Sequence, residues 1–325
     1  LAKAGKREGR ATSEGGIAIS LAGPVGGMVE IGCETDFVAR TDDFIALGEM
    51  FAGAVAADAG VTTPDALSAV SLDGETVGER VTAAIARLGE NIEIGPYCVI
   101  DGPVRLGDGC VLHAHATVMG HTTLGSDNHV FPGAVIGAEP QDLKHDGERV
   151  ELTIGSENRF REHVTVHPGT TAGGSITRLG SGGLFMVGCH VAHDCVVGNG
   201  VILANHVLLA GHARVGDRAI LNGASACHHF TTIGRLAYVG GLSSLTSDVH
   251  PFTVVEGHPA RTRGANTVGM QRAGIEADRI QVVKRAVYAI FLSEKESSTQ
   301  AMTRLEREHP DEPLIAELIA SVRAS

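Results

Sequence analysis

The stretch Leu179-Gly180-Ser181-Gly182-Gly183-Leu184-Phe185-Met186-Val187-Gly188-Cys189-His190-Val191 opens a run in which every sixth residue is apolar as far as Leu245. The positions are Leu179, Phe185, Val191, Val197, Leu203, Leu209, Val215, Leu221, Cys227, Ile233, Val239 and Leu245. A period of six fits neither an amphipathic helix nor a plain alternating strand. It marks a solenoid in which one short strand and one turn repeat. The period also runs through Ile94, Ile100, Leu106, Leu112, Val118, Leu124, Val130 and Ile136, and again through Ile154, Phe160 and Val166. Two positions earlier sits a compact residue, as at Cys98, Cys110, Ala116, Cys189, Cys195, Ala213, Ala219 and Ser225.

If three such faces close a triangular coil, the large side chain points into a narrow prism and stacks on its equivalents above and below. Each one, fully buried, contributes roughly 1.5–3 kcal/mol. The interior is too narrow for two large residues per face, so the second inward place must be compact. Gly follows the apolar residue in Ile94-Gly95, Leu106-Gly107, Ile136-Gly137, Leu179-Gly180 and Ile233-Gly234, and is expected to serve corners where φ is positive. The pattern resembles the left-handed parallel β-helix of the hexapeptide-repeat acyltransferases, and the handedness is what that resemblance implies.

Composition agrees with a thin solenoid. The 325 residues include 43 glycines, aromatics are 4% and Trp is absent. A net charge of −12 excludes a general nucleic-acid binder. No apolar run approaches a membrane span and no signal-peptide pattern opens the chain, so a cytoplasmic protein is expected. None of the six Cys forms a CxxC pair; they read as reduced core residues, with no metal.

Three segments follow: a small α+β unit over 1–93, the β-helix over 94–265 and a helical region over 266–325. In the first, Gly16 to Ala22 and Val25 to Cys33 read as strands around Gly23-Pro24. Thr41 to Asp58 reads as a helix burying Phe44, Leu47, Phe51 and Val55, with Thr41 as N-cap. Pro64 to Ala69 and Glu79 to Leu88 read as shorter helices. The run Glu30-Ile31-Gly32-Cys33-Glu34-Thr35-Asp36-Phe37-Val38-Ala39-Arg40 resembles the signature of elongation factor Ts, as do Asp73 to Val77 and Ile85 to Ile92. That resemblance implies elongation factor Tu as a partner, met by Asp36 and Phe37. With the second half of the exchange-factor core missing, the expectation is a segment that folds without exchanging nucleotide.

From Ile94 to Arg263 the chain resembles the UDP-N-acetylglucosamine O-acyltransferases of lipid A synthesis. Two breaks in the hexad carry much of the match: Gln141-Asp142-Leu143-Lys144, and the Gly- and Thr-rich run from His167 to Thr177. The other matches are His190-Val191-Ala192-His193-Asp194-Cys195, Leu209-Ala210-Gly211-His212 and Cys227-His228-His229-Phe230. Beyond Asn266 helical patterning takes over, with Ile280, Val283, Ala286, Val287 and Ile290 on one face of Ala277 to Leu292. In the family these helices help hold acyl carrier protein, and the basic residues between Arg261 and Arg285 suit an acidic carrier.

A sugar hydroxyl attacking a thioester needs a base, and a His serves because its pKa lies near the operating pH. His193 beside Asp194 offers base and orienting carboxylate. The resemblance implies His193 as general base, Asp194 as its partner and the Gly211 N–H as oxyanion donor. It further implies that Asp142, Lys144, His167, His190 and His212 hold the nucleotide sugar. His228, His229 and Arg272 are expected towards the uridine, acyl and phosphopantetheine contacts, with Gly241 at the floor of the acyl groove. No cofactor is expected beyond the carrier's arm. A homotrimer is expected, with sites between subunits. Every motif that carries this chemistry lies after Ile94, so residues 1–93 are expected to be dispensable for it. The alternatives are a γ-class carbonic anhydrase-like zinc enzyme, the related N-acyltransferase, and a pure elongation factor Ts.

Overall fold

The computed structural model describes residues 10–22, 25–58, 61 and 64–325; the expected Gly23-Pro24 turn lies outside them. The chain divides into two compact units. One runs to Val104 and includes Leu112–Gly120 and Val130–Val135; the other comprises Arg105–Val111, His121–His129 and Ile136–Ser325.

In the first unit β1 (Glu14–Ala22) and β2 (Val25–Cys33) pair antiparallel from Glu14↔Cys33 onward. A short helix α1 (Asp36–Ala39) precedes α2 (Asp42–Ala57), which Thr41 caps by accepting from the Phe44 N–H at 3.3 Å. Phe44, Leu47, Phe51 and Val55 are buried, as their spacing requires. The helix can lie this close because Gly27 and Gly48 lack side chains. A Cβ on Gly27 would stand 2.7 Å from the Ala56 nitrogen, and one on Gly48 would stand 2.9 Å from the Ala18 Cβ. Next come α3 (Pro64–Ala69), the hairpin of β3 (Ser71–Leu72) and β4 (Glu75–Thr76), and α4 (Val77–Leu88). A capping box between Thr76 and Glu79 starts α4 two residues before its expected beginning, and Gly89 at φ 82° ends it.

The strand that follows departs from the hexad. Ile94 and Ile100, counted as prism residues by period, lie in one ten-residue strand, β5 (Ile92–Asp101). It pairs antiparallel with β2 and, on its other edge, parallel with Thr117–Met119 through Ile100↔Val118. Ile92 and Val99 join the core that α2 covers, and Ile94 packs against it. Six-residue spacing cannot separate two coils from one long strand, because six is also a multiple of two.

The second unit is a parallel β-helix. Strand pairs such as Val191↔Leu209, Val197↔Val215 and Leu203↔Leu221 show that one coil takes eighteen residues, in three parallel faces. All twelve hexad residues from Leu179 to Leu245 are buried. Cys189, Cys195, Ala213, Ala219 and Ser225 fill the compact places at 0% exposure. Two coils are longer: Leu124 pairs Ile154, thirty residues on, and Ile154 pairs Leu179, twenty-five on. The insertions hold the two loops picked out in the sequence.

Among the glycines that follow the apolar residue, Gly137 has the expected positive φ, 91°, but Gly180 and Gly234 serve a different purpose. Positive φ falls three residues after the prism residue, on Asp194, His212, Arg218, Phe230 and Leu236 among others, and not on Gly180 or Gly234. Gly180 is needed because the next coil is close: a Cβ there would stand 2.7 Å from the Gly198 carbonyl carbon. The cysteines are free and all but Cys110 are buried. Burial pushes the Cys195 thiol up to about 12 and that of Cys189 up to about 11, so both stay protonated and unreactive.

Beyond the coils come α5 (Thr267–Arg272), α6 (Ala277–Phe291), α7 (Ser298–Glu308) and α8 (Pro313–Ala324). Ile280, Val283, Ala286, Val287 and Ile290 are buried, as patterned. Arg235 on the last coils donates to both Glu317 oxygens at 3.1 and 2.7 Å, and His250 stacks on Phe291 at 5.0 Å, so α6 and α8 are tied to the solenoid. Among the described residues no helix is long and apolar enough to cross a membrane.

Because β5 takes β2 as its antiparallel neighbour, deleting the chain through Asn91 should bare a long strand edge. The truncated protein is expected to sediment as aggregates or to melt below the full chain. A monodisperse product with unchanged melting temperature would show that β5 does not need that neighbour.

Candidate active site

The strand His190–Val191 sets Val191 into the prism and His190 outward, and the chain then turns through Ala192 and His193. At Asp194 the backbone is left-handed, φ 60°, a conformation Asp tolerates better than most residues. Asp194 and its counterpart in the next coil, His212 (φ 63°), occupy one corner, and Phe230 (φ 63°) follows. The hexad therefore brings functional side chains from successive coils into one column.

His193 Nδ1 lies 2.8 Å from Asp194 Oδ2. A carboxylate only accepts, so Nδ1 carries a proton, and in the neutral ring the lone pair is on Nε2. Asp194 Oδ1 accepts from the Thr170 N–H at 2.9 Å and Oδ2 from the Thr170 hydroxyl at 2.6 Å. The Asp194 N–H donates to Thr177 Oγ1 at 2.8 Å. The carboxylate is 1% exposed and the His193 side chain 11%. His193 lies over Gly211: any Cβ there would stand 2.7 Å from Nε2. His212 meets His193 edge-on at 5.3 Å between ring centroids, with its Nε2 3.8 Å from Asp194 Oδ2. Its other face is covered by the Phe230 ring, stacked at 4.3 Å and 11°.

His190 Nδ1 is 2.8 Å from Thr165 Oγ1. Burial, helped by His167 and His193, pushes its imidazole down to about 4, so it is neutral at physiological pH. Burial lowers His212 as well, against the opposing pull of Asp194 and Asp142. His167 donates from Nδ1 to the Glu139 and Ala138 carbonyls at 2.7 and 3.1 Å, tying the second loop to the first. A groove of about 390 Å³ is lined by Gln141, His167, His190, His193, Gly211 and His229, with Leu208 and Ala226 on its floor.

Seven of the expected residues thus come together in one chain: His167, His190, His193, Asp194, Gly211, His212 and His229. Asp142 turns its own loop by accepting from the Lys144 N–H at 3.0 Å, and Lys144 is exposed. Arg272 lies elsewhere, in a groove of about 410 Å³ with Arg218, Tyr238, Val268 and Ile202. That groove follows the face formed by Ile202–Leu203, Ile220–Leu221 and Tyr238–Val239, not the face of His190. His228 and Gly241 line neither groove and are exposed. Of the basic residues on the helical region, Arg279 is held by both oxygens of Glu312 at 3.0 and 2.6 Å. Sequence reasoning missed Thr170 and Thr177; their only signal was their place in the second break.

His193, Asp194 and His212 could also offer ligands to a metal ion, with donor atoms within 4.8 Å of one another. The Asp194 oxygen such an ion would use already accepts from Thr170 and His193.

A family model described as UDP-N-acetylglucosamine O-acyltransferase, domain 2, matches residues 248–325, and one for elongation factor Ts matches residues 34–118. The acyl-acyl-carrier-protein:UDP-N-acetylglucosamine O-acyltransferase of Myxococcus xanthus is 43% identical over 240 residues, which is 74% of this chain and 93% of that relative. The chain belongs to the UDP-N-acetylglucosamine O-acyltransferase family. The enzyme of that name from Anaeromyxobacter sp. (strain Fw109-5) is 50% identical over 174 residues, 54% of this chain and 68% of the relative. The crystal structure of the Arabidopsis UDP-N-acetylglucosamine acyltransferase matches with a TM-score of 0.64 at 33% identity, covering 71% of this chain and 90% of that one. With such family members the chain shares the left-handed β-helix and the class of acyltransferase. Neither the zinc-enzyme reading nor the pure exchange-factor reading is favoured.

His190 gives a test through pH. Its proton is bound more weakly folded than unfolded, so the stability lent by the neutral, buried ring is whole above about pH 6.5 and is lost as pH falls through about 4. Urea midpoints at about pH 7 and about pH 5 should drop in the native chain and drop less in His190→Asn. Equal drops would show that His190 is not the group being titrated.

Proposed function

We propose that the chain transfers a 3-hydroxyacyl group from acyl carrier protein to the 3-hydroxyl of UDP-N-acetylglucosamine, the first step of lipid A synthesis. The observation that carries this reading is the His193 ring, bonded through Nδ1 to Asp194 at 2.8 Å while lining the groove. Nε2 takes the proton of the sugar hydroxyl as its oxygen attacks the thioester carbonyl. The Asp194 carboxylate stabilises the imidazolium that forms. The tetrahedral oxyanion is met by the Gly211 N–H, which makes no hydrogen bond among the described residues. As the C–S bond breaks, His193 returns the proton to the departing thiolate. Neutral His190, and His167 beside it, serve as hydrogen-bonding groups for the sugar. The acyl group arrives on the carrier's phosphopantetheine arm, and no other cofactor is called for.

The His193 groove and the Arg272 groove lie on different faces of one prism. A homotrimer would set one subunit's His193 face against its neighbour's Arg272 face and so bring sugar and carrier contacts together. A cytoplasmic location accords with a carrier-protein donor. Binding of elongation factor Tu is a separate reading for the first unit, favoured by the 85% exposure of Phe37 beside Asp36; a pull-down comparing the native chain with Phe37→Ala tests it.

In an assay with UDP-N-acetylglucosamine and hydroxyacyl carrier protein, His193→Ala should lose about 10²–10⁴-fold in kcat with fold and sugar binding kept. His190→Ala should raise KM as well. Near-normal turnover by a folded His193→Ala protein would refute the mechanism and direct attention to His212 or a metal.

Gly241 gives a second test. A Cβ on it would meet only the Gly223 carbonyl oxygen, at 3.4 Å, so the chain itself leaves room for a side chain there. If Gly241 leaves the acyl groove deep, Gly241→Met should shift donor preference to shorter chains. An unchanged preference would remove Gly241 from the groove.

A further inference from the structure

We infer that the inserted loop between His167 and Thr177 is the device that fixes Asp194, with Thr170 as the positioning residue. This rests on the general-base reading of His193. A plain coil repeats every eighteen residues, whereas Ile154 and Leu179 pair twenty-five apart; coil stacking does not require the extra residues. What they do is visible at Asp194. Thr170 donates to it twice, from its N–H to Oδ1 at 2.9 Å and from its hydroxyl to Oδ2 at 2.6 Å. Thr177, at the loop's far end, accepts from the Asp194 N–H at 2.8 Å. Both threonines are buried, at 3% and 0% exposure.

The loop is shaped for this contact. One 3-10 turn, Thr171–Gly173, returns the chain, and the Thr170 carbonyl accepts from the Gly173 and Ser175 N–H groups at 3.0 and 2.7 Å. Gly173 rests directly on the carboxylate: any Cβ there would run into the Asp194 oxygens. At its start the loop is anchored by His167 through the Glu139 carbonyl.

The donors' neutrality matters as much as their number. The charged or titratable groups that pair with Asp194 are His193, at 2.8 Å, and His212, at 3.8 Å; no Lys or Arg among the described residues pairs with it. A cation there would offset the carboxylate's pull on the imidazolium that forms during the reaction. Two neutral donors fix the carboxylate's orientation and leave its charge to His193.

The test compares Thr170→Val, which keeps shape but removes the hydroxyl donor, with Thr170→Ser, which keeps the donor. Gly173→Ala, which pushes the loop off the carboxylate, is a second and independent variant. Thr170→Val and Gly173→Ala should each lose roughly tenfold to hundredfold in kcat, with KM for UDP-N-acetylglucosamine within about twofold of native. Thr170→Ser should restore kcat. Should Thr170→Val fold poorly, the comparison of Thr170→Ser with Gly173→Ala at native melting temperature decides. Native kcat in folded Thr170→Val or Gly173→Ala, beside an inactive His193→Ala, would overturn the loop's role alone. Normal turnover in His193→Ala would overturn the base assignment and this one with it.

Discussion

The width of the prism is the constraint on which the second unit depends. Its interior accepts one large and one compact side chain per face, so Val191, Leu209 and Leu203 at 0% exposure must alternate with Cys189, Ala213 and Ala219, also at 0%. That alternation fixes the register of parallel strands only two residues long, which could not hold one by their own hydrogen bonds. Once register is fixed, so is the position of every outward residue. Neighbouring coils are stacked at the spacing of paired strands, about 4.8 Å, so Asp194 of one coil and His212 of the next share a corner, with His212 Nε2 3.8 Å from Asp194 Oδ2. The site's geometry is inherited from the core.

A bare coil, however, offers outward side chains with nothing above them. The two insertions supply the missing shell. The first brings Gln141 to the groove and carries Asp142, whose charge acts on His212. The second buries Asp194 under Thr170, and His167 locks the two loops together. A carboxylate buried to 1% exposure needs partners for its lone pairs. The insertion provides them where a coil cannot.

The core was legible in the sequence because a narrow prism leaves little choice: all twelve hexad residues from Leu179 to Leu245 are buried. The pairing of His193 with Asp194 was legible because adjacent residues at a tight corner can reach each other. Three things were not. Gly180 looked like a corner residue, but the demand on it comes from Gly198 in the next coil, a neighbour eighteen positions away. Ile94 kept the period while packing against the core beneath α2, since burial depends on what covers a strand. Arg272 and His193 look like parts of one site in sequence yet lie on different faces, because Arg272 sits on α5, beyond the repeat, and the period does not say which face a following helix packs against.

The first unit follows from the same demand that strand edges be satisfied. β5 is antiparallel to β2 on one edge and parallel to Thr117–Met119 on the other, within a single sheet. A strand can change pairing mode from one edge to the other because each edge presents its own row of N–H and C=O groups. What it cannot do is leave one row bare over ten residues without inviting another chain. β1 and β2 therefore extend the sheet on that edge, and Ile92 and Val99 fasten β5 to the core beneath α2. The elongation factor Ts-like residues pin the start of this strand, since Glu34 accepts from the Asn91 N–H at 2.8 Å and Glu90 from the Thr35 N–H at 2.9 Å, immediately before β5 begins. In this chain the signature residues carry a structural load of their own, independent of any exchange activity, and that load falls on the strand from which the parallel pairing starts.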